Sequence, residues 1–278
     1  MVDGFVPTTV EEALELKAKF PELVPYAGGT DLMVENRPEV DYLFLNRLCD
    51  LKHVTEDDEH IRIGSGVTFT KAIADPLVPQ VMKDALVKIA APAIRNAGTF
   101  GGNLGNGSAK ADSVLVEYAL GALIRVGSVD GDRTVPVHEF YRGRKQLDLA
   151  PNELILEVLL PKANLGPYYY EKVGGRRALA ISRVAFCGVL TTEANADGNE
   201  VIRSISPSFG AVSGTVLRFP ELERQFEGLT REQAAKQRLS FVTAYEDHLK
   251  LTEGRVSAAY RRQVCLNLLG AFLDAVGI

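Results

Sequence analysis

Apolar residues recur at helical spacing in several parts of the chain. From Val10 to Phe20 they lie about three or four positions apart, and Thr8 or Thr9 can cap the N-terminus of the helix that this spacing predicts. Similar spacing predicts further helices, one of which begins near residue 31. The others cover 71–74, 81–90, 113–120, a segment from 230 onward and 257–276.

Short apolar runs between turn residues predict strands. Asp130 and Gly131 form a turn between two of these runs, which are therefore expected to pair as a hairpin. The segment 161–167, with two prolines, is the best candidate for a domain boundary. The predicted strands cover 23–27, 41–45, 60–64, 122–126, 133–137, 154–160, 168–172, 185–192 and 204–212.

Glycine is concentrated in two segments, around the pairs Gly28-Gly29 and Gly101-Gly102. The second pair lies in a stretch from 98 to 107 that holds five glycines, too many for a regular helix or strand. Without a Cβ atom, the main chain can turn its N–H groups toward a ligand and approach it closely, and a helix N-terminus just beyond adds a partial positive charge. Both segments therefore indicate binding of a phosphate or pyrophosphate group.

Neither segment is a standard phosphate loop. The chain has no G-x-G-x-x-G sequence, and Ser108 stands where a Walker A loop requires lysine. One such pair alone is more typical of a tight turn between a strand and a helix, but two pairs in one chain favour the phosphate interpretation. Asp31 and Asp112 would repel a pyrophosphate that they faced. They are expected to cap helices, a role that Ser113 shares, or to accept hydrogen bonds from sugar or ribityl hydroxyls.

Composition narrows the class of protein. The 278 residues suffice for two domains or one large one, and with 46% hydrophobic and 24% charged residues the chain is neither disordered nor collagen-like. The net charge of -5 argues against nucleic acid as the main partner, since phosphate-backbone binding normally requires a basic excess. The first residues lack the basic region and apolar run typical of a signal peptide, and no later apolar run approaches the ~20 residues that span a bilayer, so the cytoplasm is the expected compartment.

Cysteine and histidine give no sign of a metal site. Cys49, Cys187 and Cys265 lie far apart, unlike the close pairs of zinc and iron-sulfur sites. The four histidines are isolated, with no pair at i and i+4. Neither a metal centre nor covalent attachment of a cofactor through histidine is expected.

The two glycine segments resemble a known family. Ala27 to Leu32 and Thr99 to Leu104, with Asp112 nine residues after Asn103, are similar to the FAD-binding (medium) subunit of the molybdenum hydroxylases, of the xanthine dehydrogenase and carbon monoxide dehydrogenase flavoprotein type. The likeness continues in order and covers nearly the whole chain. It runs through 170–174, 177–184, 209–212 and 257–262.

The resemblance implies a fold and a domain organisation. It implies the α+β class, with an FAD-binding domain of two α/β subdomains over 1–163. A smaller α+β C-terminal domain of the CO-dehydrogenase flavoprotein type follows over 167–278. The stretch 107–111 lacks the proline that many relatives carry there, so this loop is expected to follow a different path.

The resemblance also implies which residues bind FAD. The segment 25–32 and the segment 99–103 would surround the pyrophosphate and ribityl chain, with further contacts from Asp112, Ile89, Ile155 and Lys172. No catalytic residue and no metal ligand is implied. The residues expected to bind noncovalent FAD are Pro25, Tyr26, Ala27, Gly28, Gly29, Thr30, Asp31, Leu32, Ile89, Thr99, Phe100, Gly101, Gly102, Asn103, Asp112, Ile155 and Lys172.

The implied function is electron transfer within a cytoplasmic hetero-oligomer. A large partner subunit would carry the molybdenum cofactor, and a small partner would pass electrons through [2Fe-2S] clusters to the flavin of this chain, which would deliver them to NAD or another acceptor. Three dispersed cysteines are too few for a cluster in this chain itself. Two alternatives remain open: a stand-alone FAD-dependent oxidoreductase with its own substrate pocket, and a non-catalytic scaffold whose glycine pairs are only turns.

Overall fold

The structure is a computed structural model that describes residues 4–35, 39–176, 179–252, 254 and 256–278. Arg177 and Ala178, which begin one of the segments that carry the family resemblance, lie outside the described residues. The chain forms two compact units. Unit 1 comprises the residues up to 79, 89–108 and 122–160, and unit 2 comprises 80–88, 109–121 and 161–278.

Helices and strands are mixed throughout the described residues, so the α+β class is confirmed. The strands are β1 (Gly4–Phe5), β2 (Val24–Tyr26), β3 (Tyr42–Phe44), β4 (Val54–Glu56), β5 (His60–Gly64), β6 (Leu123–Ser128), β7 (Gly131–Pro136), β8 (Tyr141–Gly143), β9 (Gln146–Leu147), β10 (Leu154–Pro161), β11 (Tyr168–Gly174), β12 (Ser182–Ala194), β13 (Glu200–Ile205) and β14 (Ser208–Gly210). The helices are α1 (Val10–Lys19), α2 (Leu32–Glu35), α3 (Phe69–Ala74), α4 (Gln80–Val87), α5 (Pro92–Arg95), α6 (Phe100–Gly105), α7 (Asp112–Leu120), α8 (Val137–Phe140), α9 (Pro220–Glu223), α10 (Arg231–His248) and α11 (Ala258–Ala275).

Unit 1 contains a three-stranded parallel sheet that carries the first glycine pair at its end. The strand order is β1-β3-β2, and Val24 of β2 pairs with Tyr42 of β3. Before this sheet, Thr9 caps α1 by accepting a hydrogen bond from the Glu12 N–H at 3.2 Å. The buried Lys17 of α1 then donates to the Leu23 carbonyl at 2.6 Å, so the helix C-terminus is tied to the start of β2.

The second sheet of unit 1 has five strands in the order β4-β5-β10-β6-β7. Its β6 and β7 form the predicted hairpin, closed by the pair Ser128 and Gly131. Leu154 and Leu156 of β10 belong to the same buried cluster as Ala13 of α1. A two-stranded ribbon of β8 and β9 completes the unit.

Unit 2 is a four-stranded antiparallel sheet packed against helices. Its order is β11-β12-β13, and β14 also pairs with β12. The Thr230 side chain and Gln233 form a capping box that starts α10. The core of this unit is rich in aromatic rings, among which Phe226 and Phe241 stack with centroids 4.3 Å apart. No helix in the described ranges combines the length and apolar character needed to cross a bilayer.

Three local predictions are wrong. The glycine-rich stretch does contain a regular element, α6, because the Thr99 side chain caps it and glycines let it pack closely. The predicted strand over 204–212 is two strands, β13 and β14, that pair with different parts of β12. Asp112 does not cap α7, since Ala111 is the N-cap and no side chain bonds there.

A buried carboxyl in α7 makes the stability of the protein depend on pH. Glu117 is fully buried, and burial raises its pKa to about 8, an effect that the Ser113 hydroxyl only partly offsets. The folded protein therefore holds a proton that the unfolded chain releases above its ordinary pKa of about 4.3. Since the unfolded state then binds fewer protons, stability falls as pH rises from about 4.5 to 8, by up to about 1.4 kcal/mol per pH unit.

We expect Glu117→Gln to remove this contribution. Its unfolding free energy, measured by urea denaturation between pH 5 and 8, should fall less steeply with pH than that of the unsubstituted protein, because an amide does not ionise. The exposed Glu246 on α10 provides the control, and Glu246→Gln should leave the pH dependence unchanged. Parallel curves for Glu117→Gln and the unsubstituted protein would show that Glu117 is already ionised in the fold.

Candidate functional site

Both glycine segments line one cavity in unit 1. The cavity has a volume of about 360 Å³, which lies within the range of small-molecule sites. Of the residues expected to bind the cofactor, twelve line it: Pro25, Ala27, Gly28, Gly29, Thr30, Asp31, Leu32, Thr99, Gly101, Gly102, Asn103 and Ile155. Segments separated by some seventy residues are thus brought to the same place.

A glycine contact joins the two segments. A Cβ atom on Gly28 would lie 1.8 Å from the Ala97 carbonyl oxygen and 3.2 Å from the Gly98 nitrogen. No other residue type permits such an approach, because a Cβ that close to a carbonyl oxygen would overlap it. Gly28 is therefore required for the end of β2 to meet the chain that leads into α6.

Gly29, which lines the cavity, is also closely packed against the protein itself. Its φ of +67° is in the left-handed region, and a Cβ there would lie 2.0 Å from the Tyr26 hydroxyl oxygen. The missing side chain thus makes room for the Tyr26 ring, which packs edge-on against Tyr42 at 5.6 Å. A branched side chain at position 29 would disturb the protein itself.

The first segment offers unused main-chain donors. In the described part of the chain, the N–H groups of residues 28–32 donate to no main-chain carbonyl, although their own carbonyls accept: the Met33 N–H donates to the Gly29 carbonyl at 2.9 Å and the Val34 N–H to the Asp31 carbonyl at 3.0 Å. Buried or half-buried N–H groups normally have a partner. Successive donors of this kind form the main-chain concavities in which proteins bind anions. The residues present therefore fit the diphosphate of a dinucleotide.

In the second segment, the N–H groups of Phe100, Gly101 and Gly102 already have acceptors. The Phe100 N–H donates to the Val67 carbonyl at 3.2 Å, the Gly101 N–H to the Ser65 carbonyl at 2.8 Å, and the Gly102 N–H to the Thr99 hydroxyl at 3.1 Å. The second segment contributes mainly to the shape of the cavity wall. A Cβ on Gly102 would approach only the Thr99 hydroxyl, at 3.0 Å, so α6 presents bare main chain there.

The acidic residues of the cavity wall are paired. Asp31 accepts a hydrogen bond from the Asn106 amide at 2.8 Å, and Glu35 forms an ion pair with Lys145 at 2.6 Å. Glu153 accepts from the Arg133 guanidinium at 2.6 Å, which lowers the pKa of the carboxyl and raises that of Arg133. These partners reduce the repulsion that unpaired carboxylates would exert on a bound anion.

Three other residues expected to contact the cofactor do not line the cavity. Tyr26 packs among the rings of the parallel sheet. Phe100 is fully buried and meets the Phe69 ring at 5.7 Å. Ile89 contributes a carbonyl oxygen that accepts from Arg95 at 2.8 Å.

Asp112 and Lys172 belong to unit 2, where they form a buried ion pair. The Lys172 ammonium lies 2.6 Å from the Asp112 carboxylate, which also accepts from the Ser182 hydroxyl at 2.8 Å. Burial raises the pKa of Asp112, and Lys172 opposes that rise. Lys172 donates in addition to the Lys88 carbonyl at 2.9 Å. The two residues support one another, which their sixty-residue separation does not predict.

Sequence reasoning missed several residues of the cavity wall. Lys145 and Glu35 form one charged side of it, and Phe69 and Leu149 add apolar surface. Lys145 lies in a basic stretch with Arg142 and Arg144, a pattern more typical of a solvated face than of a contact with an acidic partner or nucleotide. Among the described residues, no group of three histidine, cysteine or acidic side chains is placed to hold a metal ion.

Comparison with known proteins identifies relatives of both parts of the chain. Residues 1–163 match the family described as "FAD binding domain in molybdopterin dehydrogenase", and residues 168–276 match "CO dehydrogenase flavoprotein C-terminal domain". The xanthine dehydrogenase FAD-binding subunit of Escherichia coli O157:H7 is 29% identical over 227 residues, which are 78% of this chain and 76% of that protein.

Two further matches cover nearly the whole chain. The nicotine 6-hydroxylase medium subunit of Paenarthrobacter nicotinovorans is 28% identical over 93% of this chain and 94% of that protein. Among solved structures, reconstituted CO dehydrogenase from Oligotropha carboxidovorans superposes with a TM-score of 0.87 at 24% identity, covering 100% of this chain and 98% of that chain. This structural match establishes the fold.

Two glycines of α6 should respond in opposite ways to alanine substitution. A Cβ on Gly101 would lie 2.6 Å from the Ser65 Cβ, whereas a Cβ on Gly105 would meet only the Ile155 Cδ1, at an ordinary 3.7 Å. Gly101→Ala should therefore destabilise the protein by about 1–3 kcal/mol through overpacking. Gly105→Ala should stabilise it by up to about 1 kcal/mol, because alanine is the better helix former.

Thermal or urea denaturation of the two variants beside the unsubstituted protein measures both effects. Each variant serves as the control for the other, since both carry the same substitution in the same six-residue helix. Equal stability changes in the two variants would contradict the close packing of α6 on Ser65.

Proposed function

Because the chain belongs to the family of FAD-binding domains of molybdopterin dehydrogenases, which are oxidoreductases, we propose that it binds FAD noncovalently and transfers electrons as the medium subunit of a molybdenum hydroxylase complex. The single observation that best supports FAD binding is the cavity of unit 1, where residues 28–32 leave main-chain N–H groups without a main-chain acceptor in the described part of the chain. The diphosphate of FAD is the ligand proposed for these donors.

The protein's own work is to hold and orient the dinucleotide. The N–H groups of 28–32 bind the phosphate oxygens, and the bare main chain at Gly102 permits a close approach of the ribityl chain. Asn106 and Arg133 engage the carboxylates of Asp31 and Glu153, which reduces their repulsion of the anion. FAD, when bound, supplies the redox chemistry, since its ring accepts and donates electrons. No general base of this chain is required.

Asp112, Lys172, Ile89 and Ile155 are also proposed as cofactor contacts. The Asp112 carboxylate accepts from Lys172 through one oxygen and from Ser182 through the other, and each carboxylate oxygen can accept a second hydrogen bond. The support for these contacts is the family resemblance, and Ile155 also lines the cavity. We also propose that an FAD-binding domain covers residues 1–163 and that a C-terminal domain covers residues 167–278.

The proposed partners follow from the names of the relatives. "Medium subunit" and "FAD-binding subunit" describe proteins that work within larger assemblies. We infer a large subunit with the molybdenum cofactor and a small subunit with [2Fe-2S] clusters, from which electrons reach the flavin. NAD or another acceptor then takes them, and the complex is placed in the cytoplasm.

Purification of the complex from its native source tests this proposal. We expect a yellow protein whose flavin is released as FAD by mild denaturation and which copurifies with a molybdenum protein and an iron-sulfur protein. Adding NAD after reduction by substrate should reoxidise the flavin if NAD is the acceptor. Isolation as a flavoprotein without partners, active on its own substrate, would instead support a stand-alone oxidoreductase.

A substitution in α6 tests where FAD binds. Gly102→Val should lower FAD retention at least tenfold, because its branched side chain extends from main chain that lines the cavity. Gly270→Val in α11, where a Cβ would meet only the Arg238 guanidinium at 3.6 Å and which does not line the cavity, is the matched control and should retain FAD. The bound flavin is measured by absorbance after gel filtration, with circular dichroism to verify the fold. Unchanged FAD content in Gly102→Val would contradict the placement.

A further inference from the structure

A lysine lies on the cavity wall at a main-chain conformation that lysine rarely adopts. Lys145 stands between β8 and β9 with a φ of +56°, in the left-handed region that favours glycine or asparagine. Strained positions of this kind are found disproportionately at functional sites. The conformation brings a cationic side chain to the cavity that holds the first glycine segment.

Gly107 explains how Lys145 reaches this place. The Lys145 N–H donates to the Gly107 carbonyl at 3.0 Å, and a Cβ on Gly107 would lie only 2.8 Å from the Lys145 Cα. Gly107 has a φ of +63° and is the last glycine of the second segment. It does not line the cavity, and its lack of a side chain allows the β8–β9 turn to pack against the end of α6. The last glycine of the motif therefore serves to position Lys145.

The charges of the cavity wall make Lys145 distinctive. The ionisable side chains that line the cavity within the described residues are Asp31, Glu35, Glu153 and Lys145, so Lys145 is the one cation among them. Its present partner is Glu35, at 2.6 Å, and the Lys145 side chain is 52% exposed. Exposed ion pairs contribute little to stability. Exchanging Glu35 for a phosphate oxygen therefore costs the protein little.

We propose that Lys145 provides the positive charge for the diphosphate of the bound dinucleotide and that Glu35 holds the lysine in place and competes with the phosphate for it. The assignment rests on the proposed FAD binding. The N–H groups of 28–32 supply directional hydrogen bonds, and Lys145 supplies the charge that they lack. Lys145 acts here as a binding residue and takes no part in electron transfer.

Substitutions of Lys145 and of Glu35 should have opposite effects on the affinity of the protein for FAD. Lys145→Met should weaken FAD binding about 10- to 100-fold at low salt, since a charge-assisted contact to phosphate is lost. Glu35→Gln should tighten binding about threefold or more, because it frees the lysine and removes a negative charge. Lys145→Arg, which keeps the charge, should stay within about threefold of the unsubstituted protein.

Calorimetric titration of FAD into the full-length apoprotein, at low and at high salt, measures these effects. The loss in Lys145→Met should shrink at high salt, because added ions screen the missing charge. Arg142→Met is the matched control. Arg142 lies on β8 beside the same turn and pairs with Asp148 at 2.6 Å, but it does not line the cavity. The affinity of Arg142→Met for FAD should therefore equal that of the unsubstituted protein.

The outcomes separate this assignment from the proposed function. If the unsubstituted apoprotein does not bind FAD, the proposed function fails and this assignment fails with it. If it binds FAD while Lys145→Met binds equally well, only the role of Lys145 is overturned. If Lys145→Met and Glu35→Gln both weaken binding to the same extent, the pair is structural. A melting temperature measured for each variant identifies loss of folding, and Glu35→Gln tests the assignment even if Lys145→Met is unstable.

Discussion

The close approach of Gly28 to the main chain at Ala97 and Gly98 is the contact on which the cavity depends. It joins the end of a parallel strand to the chain that leads into α6, so residues 28–32 and 99–103 line the same cavity. The contact leaves no space for a side chain, since a Cβ would overlap the Ala97 carbonyl oxygen. Packing of main chain against main chain therefore forms this part of the cavity wall. The positions of the residues available to contact a ligand depend on that packing.

The two glycine segments divide the work of the cavity. The first has N–H groups that no main-chain carbonyl of the described residues accepts, as an anion site requires. The second uses its N–H groups to hold α6 against Ser65 and Val67, and it contributes a surface without side chains. Similar glycine pairs thus act through different physical means, hydrogen-bond donation in one case and close packing in the other.

Local charge, and not the net charge of the chain, governs this cavity. The net charge of -5 and the three carboxylates on the cavity wall both disfavour binding of an anion. Hydrogen bonds and ion pairs from Asn106, Lys145 and Arg133 offset those carboxylates. In unit 2, the buried Asp112 carboxylate likewise forms an ion pair with Lys172 and accepts a hydrogen bond from the Ser182 hydroxyl. The carboxylates of the cavity wall are therefore not free charges that face its interior unopposed.

The sequence by itself determined the features that depend on residues close to one another along the chain. The caps at Thr9 and Thr230, the β6–β7 hairpin and the two glycine pairs follow from short-range sterics and hydrogen bonding, and the order of the motifs identified the family. Only the tertiary structure decided that Gly29 accommodates Tyr26, that Gly107 admits Lys145, and that α6 is a helix despite its glycines. Those outcomes depend on contacts with atoms made available by the fold, and neither spacing nor residue type encodes which distant segment will supply them.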